Sequence, residues 1–148
     1  MPRPESAELS ALYQEMILDH YRRPRNKGTL ENADASVEMK NPLCGDEIGL
    51  QVSFDGDQIS DVKFSGRGCS ISQASASMMT QLLKGKTRAE IESIRTRFRD
   101  LMLGTADPSE ELGPLRALSG VARFPARVKC ALLAWNALES ALAASPAE

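Results

Sequence analysis

Three cysteines occur in this 148-residue chain, at positions 44, 69 and 130, and Asp46 follows the first by two residues. Thiolates and a carboxylate are donors that take a divalent metal ion, provided the fold brings them together. The thiol count is odd, and Met1 to Ser10 carries Pro and Glu where a secretion signal would have a basic segment and an apolar stretch. Reduced thiols, metal ligands or a reactive sulfur are therefore expected instead of a disulfide framework. Cys44 lies in Asn41-Pro42-Leu43-Cys44-Gly45-Asp46 and Cys69 in Ser65-Gly66-Arg67-Gly68-Cys69-Ser70, loop sequences with little apolar support. Cys130 alone would also fit plain core packing, and Asp46 alone would also fit a turn cap.

The elements that must position these residues follow from periodicity. Leu9, Leu12, Tyr13, Met16 and Ile17 share one helical face from Ser6 onward, and Pro24 ends it. The period then changes to two: Val37 and Met39; Ile48, Leu50, Val52 and Phe54; Val62 and Phe64. These predict three short strands with a turn around Gly56. Ile71, Ala74, Met78 and Leu82 predict a helix after Cys69, closed by Gly85. Thr87 to Glu90 reads as a capping box ahead of Ile91, Ile94, Phe98 and Leu101. Asp107 and Pro108 read as the cap and first turn of a short helix with Leu112, Leu115 and Leu118, stopped near Gly120. Pro125 opens a last helix, expected to be central, with a stripe of Val128, Leu132, Trp135, Leu138 and Leu142, and with Ala131, Ala134, Ala137 and Ala141 permitting close approach. The predicted class is α+β, a small three-stranded antiparallel sheet packed against several helices.

This arrangement gathers the cysteines. In an antiparallel hairpin the start of one strand lies beside the end of the next. Matching apolar faces sets Val52 against Val62, Leu50 against Phe64 and Ile48 against Gly66, and extending that register puts Cys69 opposite Gly45. Cys44 and Asp46 then straddle Cys69, and Cys130, in the first turn of the last helix, completes a tetrahedron if that helix start docks at the same sheet end. A sulfur-rich tetrahedral site favours zinc. Three thiolates and a carboxylate leave an excess of about two negative charges on a divalent ion, for which Arg67, Arg127 and Lys129 are the neighbouring cations. Gly45, Gly66 and Gly68 permit the backbone turns the site needs. His20, the only histidine, is expected in a helix-end or interhelical contact. The methionines, including Met78 and Met79, and Trp135 read as core.

The composition fits one domain with a real core, since 42% of residues are hydrophobic. A net charge of −2 gives no large positive field to attract nucleic acid or an anionic membrane. No apolar run approaches spanning length, so a cytoplasmic protein is expected, with loose tails before Ser6 and after Ala144.

At Tyr13 to Pro24, Asn41 to Asp46, Gly66 to Met79 and Pro125 to Trp135 the sequence resembles the U-type iron–sulfur cluster assembly proteins: the IscU scaffolds, the SufU sulfur-transfer proteins and the NifU N-terminal domains. The likeness covers nearly the whole chain. It implies a SufE/NifU-like fold, metal ligation by Cys44, Asp46, Cys69 and Cys130, and one zinc per chain. It further implies that Cys44 accepts persulfide sulfur from a SufS-like cysteine desulfurase, making the protein a zinc-dependent sulfurtransferase. A histidine of that desulfurase would replace Cys44 on the metal, while Arg127 helps hold the partner or Asp46. Downstream assembly or recipient proteins are the other implied partners. The alternative reading is a scaffold on which a transient iron–sulfur cluster is assembled and passed to apo-proteins. Two features favour the SufU branch: Lys129 stands before the third cysteine where IscU scaffolds usually carry His, and a segment from about Phe98 to Phe124 is added. The IscU chaperone motif Leu-Pro-Pro-Val-Lys appears only as Phe124-Pro125-Ala126-Arg127-Val128-Lys129, so dedicated chaperone dependence is not expected.

Overall fold

The computed structural model describes residues 4–41 and 45–144, with side chains from residue 11 onward. Cys44 and the terminal residues expected to be loose, 1–3 and 145–148, lie outside the described residues. In chain order the elements are α1 (Pro4–Arg22), β1 (Ala35–Asn41), β2 (Asp46–Asp55), β3 (Gln58–Arg67), α2 (Ser70–Leu83), α3 (Arg88–Met102), a 3-10 segment (Glu110–Arg123) and α4 (Pro125–Ala144). The α+β class holds: one antiparallel sheet in the order β1-β2-β3, packed against helices.

The strand register is the one the apolar faces demand, with Val52 opposite Val62, Leu50 opposite Phe64 and Ile48 opposite Gly66. Ile48, Leu50, Val52, Val62 and Phe64 are all buried on that face. A bulge between Ser53 and Phe54 shifts the pairing near the turn, so Phe54 meets Ile59, and Ile59 becomes a core residue the alternation did not mark. At the other end the ladder stops at Glu47 opposite Arg67, so the pairing of Cys69 with Gly45 does not form as backbone register. Gly66 explains that exit: at φ +110 it occupies a conformation suited to glycine, and a Cβ there would strike the Glu47 carbonyl oxygen.

Tyr13, Met16 and Ile17 of α1 pack partly into the core and His20 is buried, but Leu12 is 52% exposed, contrary to expectation. At 3.6 residues per turn Leu12 falls about 90° from the centre of the Tyr13–Met16–Ile17–His20 stripe, at the edge of the contact face. Helix α2 is buried along most of its length, from Ser72 to Thr80, while Ile71 and Leu82 are only partly covered. It is sandwiched between α1, α4, β3 and the 3-10 segment. Helix α3 begins with both reciprocal bonds of the capping box, Glu90 N–H to Thr87 Oγ1 and Thr87 N–H to Glu90 Oε1.

The helix expected at Asp107 begins later and is a different helix. Its 3-10 turns run over Glu110–Arg123 and pass Gly120, with a kink where Gly113 takes φ +51 ahead of Pro114. Leu112, Leu115, Leu118 and Val121 are buried; their spacing of three matches the three residues per turn of a 3-10 helix. Helix α4 is central as expected, packing on α2, β1 and β2. Its buried face is broader than the predicted stripe and includes Leu133 and all four of Ala131, Ala134, Ala137 and Ala141, whereas Leu132 and Leu142 are partly exposed.

Candidate metal centre

Asp46, Cys69 and Cys130 meet at one end of the sheet, with a ligand atom from each lying within 4.8 Å of the others. Asp46 opens β2, Cys69 caps the N-terminus of α2, and Cys130 sits in the second turn of α4. Asp46 and Cys130 are each 2% exposed and Cys69 is intermediate, so Cys69 is the most accessible of the three donors.

Local bonds hold the donors. Asp46 Oδ1 accepts the backbone N–H of Cys69 at 2.9 Å, and the Cys69 thiol lies 3.5 Å from Oδ2. Gly68 permits that approach, because a Cβ on it would sit 2.6 Å from Asp46 Oδ1 and against Ser72 Oγ. The Ser72 hydroxyl donates to the Cys69 carbonyl at 3.1 Å. On the α4 side the Phe124 carbonyl accepts the N–H groups of Arg127 and Val128 at 2.8 and 3.0 Å, with Pro125 at the first helical position where its missing N–H costs nothing. The Cys130 thiol points to the Ala126 carbonyl at 3.6 Å.

The donor set fits zinc. Zn–S and Zn–O bonds of about 2.3 and 2.0–2.2 Å in a tetrahedron put neighbouring sulfur and oxygen ligands roughly 3.5 Å apart. The 3.5 Å between Cys69 Sγ and Asp46 Oδ2 equals that edge. Two thiols beside a carboxylate suit zinc or iron and do not suit magnesium or calcium.

The three cations named from the sequence differ in their surroundings. Arg67 is largely exposed and its Nε is 3.9 Å from Glu47 Oε2, a solvated ion pair on the outer side of the sheet end. Lys129 is exposed on α4, and Arg127 lines a groove of about 600 Å³ with Ser70, Ile71, Arg123 and Phe124. His20 makes the expected interhelical contact, its Nδ1 2.8 Å from Ser77 Oγ. Met78 and Met79 are fully buried, and Trp135 stacks on Phe98 with ring centroids 4.9 Å apart. Sequence reasoning missed the buried serines of α2, Ser72, Ser75 and Ser77. The available signal was their number within one helix, where an unbonded serine beyond the first turn is unfavourable.

A three-stranded sheet whose end meets two helix starts in a thiol–carboxylate cluster defines a small α+β domain built around a metal-type site. Residues 12–147 match the model of the NifU-like N-terminal domain, and the chain belongs to that family. It is 52% identical over 139 residues to the zinc-dependent sulfurtransferase SufU of Bacillus subtilis (strain 168), covering 93% of this chain and 94% of that protein. It is 44% identical to the iron–sulfur cluster assembly scaffold protein IscU of Streptococcus pyogenes serotype M1, covering 92% and 86%. Among solved structures it resembles an iron–sulfur cluster assembly scaffold protein for the SUF system from Fervidobacterium islandicum AW-1, with a TM-score of 0.84, 43% identity and coverage of 89% and 97%. No helix among the described residues is long and apolar enough to cross a membrane.

Proposed function

We propose that this chain is a single-domain, zinc-binding sulfur acceptor of iron–sulfur cluster assembly, acting with a cysteine desulfurase, and that Cys44 carries the sulfur. The observation that carries this reading is the convergence of Asp46, Cys69 and Cys130 at one sheet end, with Cys44 two residues before Asp46 in sequence. Cys44 is joined directly to Gly45, the residue before Asp46, and the Gly45 N–H bonds the Asn41 carbonyl at 2.8 Å. The similarity to a zinc-dependent sulfurtransferase over most of both chains supports the same reading.

Asp46, Cys69 and Cys130 hold the metal together with Cys44, one zinc per chain. Bound there, zinc keeps its thiol ligands deprotonated at neutral pH. The Cys44 thiolate attacks the outer sulfur of a persulfide on the desulfurase. A new S–S bond forms at Cys44, the donor's S–S bond breaks, and the donor cysteine leaves as thiolate, with no net oxidation. The same exchange in the next step passes the sulfur to a recipient thiolate. Arg127 and Lys129, exposed on α4 beside Cys130, present cations to the partner surface, and Arg67 does so at the sheet edge. The work would take place in the cytoplasm.

Incubation with a SufS-type desulfurase, cysteine and a reductant tests the reading. Natural protein should stimulate alanine release and yield Cys44 peptides heavier by one sulfur atom, and Cys44→Ala should lose both. Undiminished stimulation by Cys44→Ala would show that Cys44 is not the acceptor. The similarity to IscU scaffolds favours a second reading, a cluster held by the same residues, and anaerobic iron and sulfide addition followed by absorption spectroscopy separates the two.

A further inference from the structure

We propose that Ser75 is a positioning residue, whose buried hydroxyl ties α2 to α4 and thereby sets the spacing of Cys69 and Cys130 before a metal arrives. The inference rests on the reading of Asp46, Cys69 and Cys130 as ligands. Cys69 begins the helix that carries Ser75, and Cys130 immediately precedes the residue to which Ser75 is bonded.

Ser75 is fully buried. Its Oγ lies 2.7 Å from the Ala131 carbonyl oxygen and 3.2 Å from Trp135 Nε1. A carbonyl only accepts and an indole N–H only donates, so the hydroxyl's single hydrogen goes to Ala131 and a lone pair takes the Trp135 N–H. Both partners belong to α4, one turn apart, so the serine is fixed to that helix at two points. Helices are stiff over one or two turns, and a two-point tie between them removes the sliding that would open the gap between the start of α2 and the second turn of α4. Ala131 and Ala134, both buried, let the backbones approach closely enough for a side chain as short as serine to bridge them.

Ser77 supplies the internal control. It is equally buried on the same helix, but its hydroxyl meets His20 Nδ1 and the N–H of Arg25, each at 2.8 Å, so it ties α2 to α1 and the following loop, and not to α4. Loss of either hydroxyl leaves buried polar groups unsatisfied and should destabilise the fold. Only the Ser75 tie includes the residue next to a candidate ligand.

Cobalt(II) titration of metal-free protein against a competing chelator, followed by thiolate-to-cobalt absorption, reads the affinity. Ser75→Ala should bind cobalt about tenfold more weakly, the lower end of what outer partners of a metal site contribute. Ser75→Thr, which keeps the hydroxyl, should restore binding. Ser77→Ala should melt at lower temperature with natural affinity. If Ser75→Ala binds as the natural chain does, or Ser75→Thr is as weak as Ser75→Ala, the positioning role is overturned while the site stands. A natural chain with no thiolate-to-cobalt absorption overturns the ligand reading itself, and this inference with it. Should Ser75→Ala not fold, the sole tryptophan decides the matter in the natural chain. A tie that exists before metal arrives keeps Trp135 emission unshifted when metal is stripped, and a red shift toward that of exposed indole overturns it.

Discussion

Asp46 grips Cys69 twice: one carboxylate oxygen accepts its backbone N–H at 2.9 Å, and the other lies 3.5 Å from its sulfur. The same side chain therefore fixes the start of α2 and offers a donor to a metal beside it. These roles separate by substitution. Asp46→Asn keeps an oxygen for the Cys69 N–H and should retain most of the metal-free stability, whereas Asp46→Ala should lose about 1–2 kcal/mol in urea unfolding. Both variants should keep zinc through the thiolates yet transfer sulfur more slowly than the natural chain. Equal stability of the Ala and natural proteins would show that the N–H bond contributes nothing.

Gly68 is a second test of the same approach. Alanine there would place a methyl group 2.6 Å from Asp46 Oδ1 and against Ser72 Oγ, so the carboxylate or the serine must move. Gly68→Ala should lower zinc affinity by at least tenfold while the rest of the fold persists, because the clash is confined to this corner. A chelator competition assay measures it, and unchanged affinity would mean that the carboxylate has slack the structure does not suggest.

Removal of a thiol ligand and removal of the metal should be equivalent in stability. Cys69→Ala and Cys130→Ala should reduce zinc content and melt lower than the zinc-loaded natural protein, by about 2.7 kcal/mol when free zinc is a hundred times the dissociation constant. A chelator should lower the melting temperature of the natural chain to a similar extent and have little further effect on either variant. Full zinc and unchanged melting in both variants would remove these cysteines from the site.

What could be read in the sequence depended on which residues carried a period. The alternation of Ile48, Leu50, Val52, Val62 and Phe64 has one register that buries every member, and that register is the observed one. It brought Asp46 and Cys69 to one sheet end. The contact itself was not legible, because past Arg67 it is made by a side chain and no longer by the ladder. The 3-10 segment was misjudged through its start, since Asp107-Pro108 has the chemistry of an α-helix entrance. The spacing of three in Leu112, Leu115 and Leu118 already carried the correct period. The buried serines of α2 escaped because a polar residue in a helix reads as solvent-facing until its partner is known, and the partners of Ser75 and Ser77 are more than fifty residues away in sequence. Arg67 is two residues from Cys69 in sequence, and its side chain pairs with Glu47 on the neighbouring strand, a partner that nearness in sequence did not mark.

The buried pair His20 and Ser77 predicts how stability depends on pH. His20 is 5% exposed, and its pKa is lowered from the ordinary 6.5, first by burial and then by the Arg25 guanidinium, with Asp19 opposing. Asp19 is itself held below its usual value by the hydrogen bond from Arg25 at 2.7 Å, so it remains an anion paired mainly with that arginine. The neutral ring lets the Ser77 hydroxyl donate to Nδ1 while accepting the Arg25 N–H. The unfolded chain binds a proton at 6.5 more readily than the folded one, so acid favours unfolding. The contribution of His20 is fully present above that pH and is lost as pH falls from 6.5 through the depressed folded value. His20→Asn offers a neutral acceptor near Nδ1 that does not titrate, and it should flatten this part of the profile. Thermal melts of both proteins, metal-free so that ligand protonation does not intrude, should show a steeper decline for the natural chain between about pH 7 and pH 5. Parallel declines would mean that His20 is protonated as easily in the folded protein as in the unfolded chain, and that its burial has no bearing on acid sensitivity.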